Sequence, residues 1–302
     1  MRAIKTFHEL IAHLCTMEQR KTVAVVWPED ASTLYSIELA LQYGIVNVVF
    51  VGCRKIIEDY EGYKTFGDHI KIVDSDDRVE AAGIAVSLVR EGKADILMKG
   101  LLNTDTLLHA VLHKETGILP KGNVLTHITA AMMPNYPKML FFTDSAVIPY
   151  PTQEQRREQV RYIARLCRSF GIETPKISLI HCTEKVSEKY FPFTLGYKDI
   201  IDEAGRGEYG QCIIDGPLDL KTSVSKESMR VKGIHSPIDG EADALVFPDI
   251  EAANVFYKSI TLFYAVETAG ALQGAMAPVV LPSRSDSKLC KFYSLALAIV
   301  SC

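Results

Sequence analysis

Short apolar runs alternate along the chain with longer stretches in which apolar residues recur every three or four positions. The runs predict strands at 22–26, 46–51, 70–73, 96–98, 139–143, 177–180, 212–214, 244–247 and 278–281. Several carry β-branched apolar residues at consecutive positions, as strands covered on both faces do. Helical stretches with readable ends lie between them. Thr152 and Gln155 have the spacing of a capping box, Val160, Ile163, Cys167 and Phe170 share the face that follows, and Gly171 closes it. Asp74, Asp76 and Asp77 crowd the start of another helix, whose apolar face is predicted to use Val79, Ala82, Val86 and Val89 before Gly92.

Such alternation predicts an α/β fold, three-layered α/β/α, with mostly parallel sheets and right-handed crossovers. The apolar stretch 261–281 holds Gly270 and Gly274 in a literal G-x-x-x-G. Glu267, Gln273 and Pro278 interrupt it, whereas a membrane span needs about 20 predominantly apolar residues. It is read as a buried helix running into a buried strand. Pro134 and Pro137 interrupt a helical run and mark a hinge, with a second crossing near 270–278. Two domains are therefore expected, 1–135 plus 271–302 and 136–270.

A net charge of −4 with scattered Lys and Arg offers no basic face for nucleic acid, so an anionic ligand must be held locally. Seven cysteines contain no C-x-x-C pair, which argues against a zinc ribbon or a thioredoxin-type site and suits free thiols in a reducing cytosol. Arg2, Lys5, His8 and Glu9 make the first residues unlike a signal peptide. A soluble cytoplasmic protein is expected, without membrane or nucleic-acid partners.

Ligands of open α/β sheets collect at the carboxyl ends of the strands. There the sequence offers Trp27–Asp30, Lys99-Gly100, Asp144-Ser145, Glu184, Asp215-Gly216-Pro217, Pro248-Asp249 and Ser283-Arg284. Taken singly, each also looks like a helix cap or a turn. After Lys99-Gly100, Asn103 or Thr104 can start a helix whose amides attract phosphate, with Lys99 adding charge; a capped helix beside a solvated lysine is the plainer alternative. In Ser283-Arg284-Ser285-Asp286-Ser287, the guanidinium fork suits a phosphate, the serine suits an oxyanion, and Asp286 is either a base or the cap of the last helix.

Two literal motifs carry nothing. Gly205–Gly210 satisfies G-x-G-x-x-G but follows a helix and precedes a strand, the reverse of a dinucleotide site. His109 and His113 lack the glutamate of a zinc protease helix. None of the eight histidines announces a catalytic triad. Asp215 and Asp219 can be read as a metal pair or as a turn and cap, and the turn is favoured.

Five segments in order resemble the phosphate acetyltransferase/phosphate butyryltransferase family, nearer its butyryl branch: residues 94–104 (ADILMKGLLNT), 141–147 (FFTDSAV), 215–225 (DGPLDLKTSVS), 242–260 (ADALVFPDIEAANVFYKSI) and 278–287 (PVVLPSRSDS). The resemblance implies two α/β domains with a cleft between them. It also implies the reversible reaction acyl-CoA plus phosphate to acyl phosphate plus CoA, with no cofactor beyond the substrates and no metal. The family's serine-arginine pair maps onto Ser283 and Arg284. Substrate contacts are expected from Lys99, Gly100, Asn103, Thr104, Asp144, Ser145, Asp215, Asn254 and Lys258. The acetyl branch places its base aspartate where this chain has Cys290, so Asp286 stands in as the candidate. It has a cysteine where this chain has Ser145, which argues against an obligatory thiol nucleophile. Direct transfer without a covalent acyl-enzyme is expected, in a homodimer or larger homo-oligomer. A metal- and NAD-dependent dehydrogenase of the isocitrate or isopropylmalate type using Asp215 and Asp219, and a non-catalytic acyl-CoA-binding relative, are the alternatives.

Overall fold

A computed structural model describes residues 2–283 and 286–302. Its chain divides into two compact units, residues 7–125 with 268–302 and residues 1–6 with 126–267. In chain order the strands are β1 (Lys21–Val26), β2 (Val46–Gly52), β3 (Ile70–Asp74), β4 (Ile96–Lys99), β5 (Thr126–Met132) and β6 (Leu140–Thr143). They continue with β7 (Lys176–Ile180), β8 (Ile213–Leu218), β9 (Ala244–Val246), β10 (Glu267–Gln273) and β11 (Val279–Val280). The helices used below are α1 (Phe7–Leu14), α2 (Ala31–Gln42), α3 (Arg78–Arg90), α4 (Thr104–Leu112), α5 (Gln153–Ser169), α6 (Ile250–Phe263) and α7 (Lys288–Ser301).

The unit containing β1 orders its strands β3-β2-β1-β4-β11-β10. All run parallel except β10, which is antiparallel to β11. Val23 to Val26 are fully buried, as the unbroken apolar run of β1 requires of a strand covered on both faces. Helix α7 packs on α1 and α2, and the Phe7 ring stacks on Tyr293 at 4.4 Å. Asp77 caps α3 by accepting from the amides of Val79 and Glu80. This helix turns Ala81, Ala82, Ala85, Val86 and Val89 inward and leaves Val79 67% exposed, against expectation. Small residues form most of the buried face, so the first-turn valine is not needed for it.

The other unit orders its strands β5-β6-β9-β7-β8, with β5 antiparallel to β6 and the rest parallel. Its core gathers Phe142, Leu245, Phe247 and Ile260, with Phe142 and Phe256 edge to face at 5.2 Å. Helix α5 opens with the expected capping box in both directions and buries Val160, Ile163 and Cys167. Gly171 follows at φ +78°, a conformation that side chains other than glycine rarely adopt.

Two readings are corrected. The run before Pro134 is a strand, β5, because Thr126, Ile128 and Thr129 are β-branched and pair with β6. The two prolines accordingly lie in the β5–β6 connection, inside this unit. Residues 267–273 also form a strand rather than a continued helix. Helix α6 ends at Phe263, and the small residues Thr268, Ala269, Gly270 and Ala271 fit a sheet interior beside α7, where the Gly270 amide donates to Ser294 Oγ at 2.9 Å. Among the described residues no helix is long and apolar enough to cross a membrane.

Candidate active site

In the unit built around β1, the parallel pairing of β11 with β4 puts Lys99-Gly100 and the segment running to Ser283 at neighbouring strand ends. Lys99 is 4% exposed, so it is not the solvated lysine of the plainer reading. Its Nζ donates to the carbonyls of Gly100 and Leu102, both at 3.3 Å. Gly100 is required by close approach: a Cβ there would stand 2.3 Å from the Trp27 carbonyl oxygen. Amides of Gly100 and Leu101 donate to the carbonyls of Val26 and Trp27 at 2.8 and 2.7 Å, which lays this turn along the end of β1. Asn103 stands at the N-cap of α4 without a side-chain cap bond, and Thr104 begins the helix; both are exposed.

Ser283 is exposed, and its amide donates to Asp286 Oδ2 at 2.7 Å while the Asp286 amide returns a bond to the Ser283 carbonyl at 3.2 Å. Arg284 and Ser285 lie outside the described residues. The cap of α7 is Ser287, whose Oγ accepts from the Cys290 amide at 3.1 Å. Asp286 is therefore bonded to the Ser283 backbone instead of capping the helix. Burial pushes the Cys290 thiol up to about 11, helped by the nearby Asp286 carboxylate, so a thiol stands where the family resemblance would put a base, and it stays protonated at neutral pH.

At the next residue of α7, buried Lys291 donates to Asp30 Oδ1 at 2.9 Å and Thr33 Oγ1 at 3.2 Å. Burial alone would raise the Asp30 pKa. Hydrogen bonds from Ser32, Thr33 and Lys291 outweigh that and hold it well below the usual carboxylate range.

In the other unit, Asp144 and Ser145 directly follow β6. Asp144 is buried; its Oδ1 accepts from the amides of Ala146 and Val147 and its Oδ2 from Ile148 and from Thr126 Oγ1. That carboxylate shapes the loop. Asn254, in α6, donates Nδ2 to the Ser145 carbonyl at 2.8 Å, and Lys258 is exposed four residues on. Helix α6 is held at its start by Asp249, which caps it, and by Arg156 of α5, which donates to the carbonyls of Phe247 and Pro248. Asp215 is not at a strand end: β8 runs on to Leu218, and Asp215 Oδ1 accepts from the Gly216 amide. The missing Cβ of Gly216 lets the strand continue, since it would meet the Leu179 carbonyl at 2.6 Å.

Sequence reasoning missed His127. Because β5 is antiparallel to β6, its beginning lies beside the end of β6, and Ser145 Oγ stands 3.4 Å from His127 Nδ1. A period-2 reading of residues 126–132 as a strand would have placed His127 there.

No cluster of three or more metal-ligating side chains occurs among the described residues. Asp219, the second half of the suggested metal pair, caps a helix through the Thr222 amide and is paired with Lys232, which also holds Glu184. The cap half of the plainer reading holds at Asp219, whereas the turn expected at Gly216-Pro217 is replaced by the continuing strand β8.

Residues 60–299 match the protein family described as phosphate acetyl/butaryl transferase. The chain is 36% identical to the phosphate butyryltransferase of Clostridium acetobutylicum over 98% of its own length and 97% of that protein's. It is 37% identical to the phosphate acetyltransferase of Thermotoga maritima over 73% and 74% of the two chains. Among solved structures, a branched-chain phosphotransacylase from Enterococcus faecalis superposes with a TM-score of 0.80 at 32% identity, covering 93% of this chain and 98% of that one.

Proposed function

The chain belongs to the phosphate acetyl/butyryl transferase family, and we propose that the acyl group it carries is butyryl or a branched short chain rather than acetyl. It is a phosphate acyltransferase, exchanging phosphate and coenzyme A on an acyl group. The observation that carries the assignment of the site is the β4–β11 pairing, which brings buried Lys99 and the Ser283 turn to adjacent strand ends. Near full-length similarity to a phosphate butyryltransferase and to a branched-chain phosphotransacylase supports the acyl choice.

In this proposal Arg284 grips the phosphoryl group in two places, a role resting on the family resemblance. Ser283 Oγ donates to the developing oxyanion or the departing phosphate. Lys99 adds fixed positive charge, and the exposed first turn of α4 at Asn103-Thr104 offers amides to an anion. In the other unit Asp144 and Asn254 hold the Ser145 loop in shape, and exposed Lys258 offers a positive charge to an anionic substrate group. Asp286 is bonded to the Ser283 backbone. Transfer is direct, needing a proton acceptor for the thiol, cationic support for phosphate and donors for the carbonyl, with no group beyond the two substrates.

A cytosolic enzyme suits these substrates. Exposed Val255, Leu262, Phe263 and Tyr264 on and just after α6 support a homo-oligomer, which sedimentation would measure.

The test is phosphate-dependent release of free thiol from acetyl-, butyryl- and isobutyryl-CoA. Butyryl and isobutyryl each add two carbons to acetyl, and a single methylene in a fitted pocket is worth about 10–200-fold, so kcat/KM for the longer acyl groups should exceed that for acetyl by at least about 10-fold. Faster turnover of acetyl-CoA would overturn the acyl choice. Thiol release independent of phosphate would overturn the assigned reaction, and a stoichiometric acyl-protein formed from acyl-CoA alone would overturn direct transfer.

A further inference from the structure

We propose that Trp27 and Arg78 together hold a phosphate oxygen of a substrate, with the indole N–H and the guanidinium both donating to it. Both residues lie inside the unit built around β1. The proposal rests on the phosphate acyltransferase reading, whose substrates carry phosphate both free and on coenzyme A, and it adds two donors that reading does not use.

Trp27 directly follows β1 and is only 7% exposed. Its Nε1 has no hydrogen-bond partner among the described residues. A buried indole N–H ordinarily finds an acceptor, so this orphan donor calls for one from outside the chain. Trp27 is also held at φ +55°, a conformation that bulky residues rarely adopt and that persists where the surroundings over-determine it. They do so here. The Trp27 carbonyl accepts from the amides of Glu29 and Leu101 at 2.9 and 2.7 Å, which ties it to the Lys99-Gly100 turn. At the end of β2, Gly52 lies against the indole, where a Cβ would stand 3.5 Å from Trp27 Cε3.

Arg78, the first residue of α3, supplies the charge. Its Cζ lies 5.2 Å from the centre of the Trp27 ring. A guanidinium stacked on an aromatic face keeps its N–H donors in its own plane, open to an oxyanion. Among the described residues Arg78 has no carboxylate partner and no hydrogen-bond acceptor. The carboxylates of Asp30, Asp77 and Glu80 are already bonded elsewhere, to Lys291, to the amides of Val79 and Glu80, and to Ser75 Oγ. One tetrahedral oxyanion spans two donors at this separation, and its bond to the guanidinium is charge-assisted. A neutral carbonyl would satisfy the indole but leave the cation unpaired. Inorganic or acyl phosphate is one source of such an oxygen, and the phosphates of coenzyme A are the other.

Trp27 is the single tryptophan of the chain, so its fluorescence reports on the site directly. Wild-type protein is titrated with inorganic phosphate, with coenzyme A, and with pantetheine, which carries the thiol arm without phosphate. We expect a saturable change in emission with phosphate or with coenzyme A and none with pantetheine; the ligand that gives it identifies the source. Emission unmoved by either up to about 10 mM, above the usual KM range, overturns the proposal, as does an equal response to pantetheine. Arg78→Ala alters an exposed side chain, and the Kd of the responding ligand should rise about 10-fold. Arg78→Lys should fall between, since it keeps the charge and loses the planar fork. Trp27→Phe keeps an aromatic ring and loses the N–H, so KM for that ligand should rise about 10-fold with kcat nearly unchanged. Wild-type affinity in Arg78→Ala, or a wild-type KM in Trp27→Phe, would each overturn the proposal. Emission changes as expected in a protein that releases no thiol from acyl-CoA with phosphate would count against the acyltransferase reading, not against this site.

Discussion

Lys291 Nζ and Asp30 Oδ1 stand 2.9 Å apart although 261 positions separate them in the chain. The pair fastens the first turn of α7 to the loop leaving β1. The Ser283 turn enters α7 directly, so its position inherits that anchor.

Asp30→Asn should leave the buried Lys291 ammonium without its carboxylate. A loss of about 2–3 kcal/mol is expected, below the 3–5 kcal/mol of a fully buried pair because Asp30 is partly exposed. The folded-state pKa of Asp30 is depressed, so its contribution is complete above the unfolded value near 4 and fades as pH falls through the lower folded value. Wild type and variant should therefore converge in stability in strong acid; denaturant melts from pH 2 to 7 read this directly, and a constant difference across that range contradicts it.

Gly100→Ala places a methyl 2.3 Å from the Trp27 carbonyl, a backbone atom that cannot swing aside. The turn must shift, costing roughly 1–3 kcal/mol. Since Lys99 bonds to the carbonyls of that same turn, kcat should fall more than tenfold even at temperatures where the variant is fully folded. Thermal melts beside steady-state assays separate the two effects.

Cys290 should be inert. With its thiol held up to about 11, only a small fraction is thiolate at pH 8, and alkylation there should be far slower than for an ordinary exposed thiol. Mass spectrometry after limited iodoacetamide treatment gives the measurement. Cys290→Ser should retain activity, whereas loss of more than tenfold would return the residue to the chemistry.

Asn254→Leu removes the donor to the Ser145 carbonyl while keeping side-chain volume. An unpaired carbonyl costs about 1–3 kcal/mol where it is buried. If Asn254 serves the Ser145 loop, kcat should drop with the melting temperature lowered by only a few degrees. Asn254→Asp, which replaces the donor by an acceptor, should be worse than Leu. Equal activity of both variants and wild type would remove Asn254 from the site.

Much of the fold was legible because it is written between near neighbours. Capping at Thr152 and Gln155, the apolar face of α5 and the buried run of β1 all follow from residues within one or two turns of each other. The elements misread were the two antiparallel strands, β5 and β10. Alanine-rich stretches such as Ala130-Ala131 suit a helix as well as a strand, and only a partner strand decides between them. Val79 and Asp215 failed for a related reason: burial and strand length depend on what lies opposite.

The candidate site divides the same way. Sequence alone determined the alternating α/β pattern, the segments of family resemblance and the Ser283-Arg284, Lys99-Gly100 and Asp144-Ser145 positions, because residue order carries them. Only the tertiary structure decided that Lys99 is buried, that Ser287 rather than Asp286 caps α7, that Lys291 answers Asp30, and that His127 meets Ser145. Each of these depends on the pairing or packing of strands and loops, and a side chain's desolvation and partners are properties of that packing, which local periodicity does not encode.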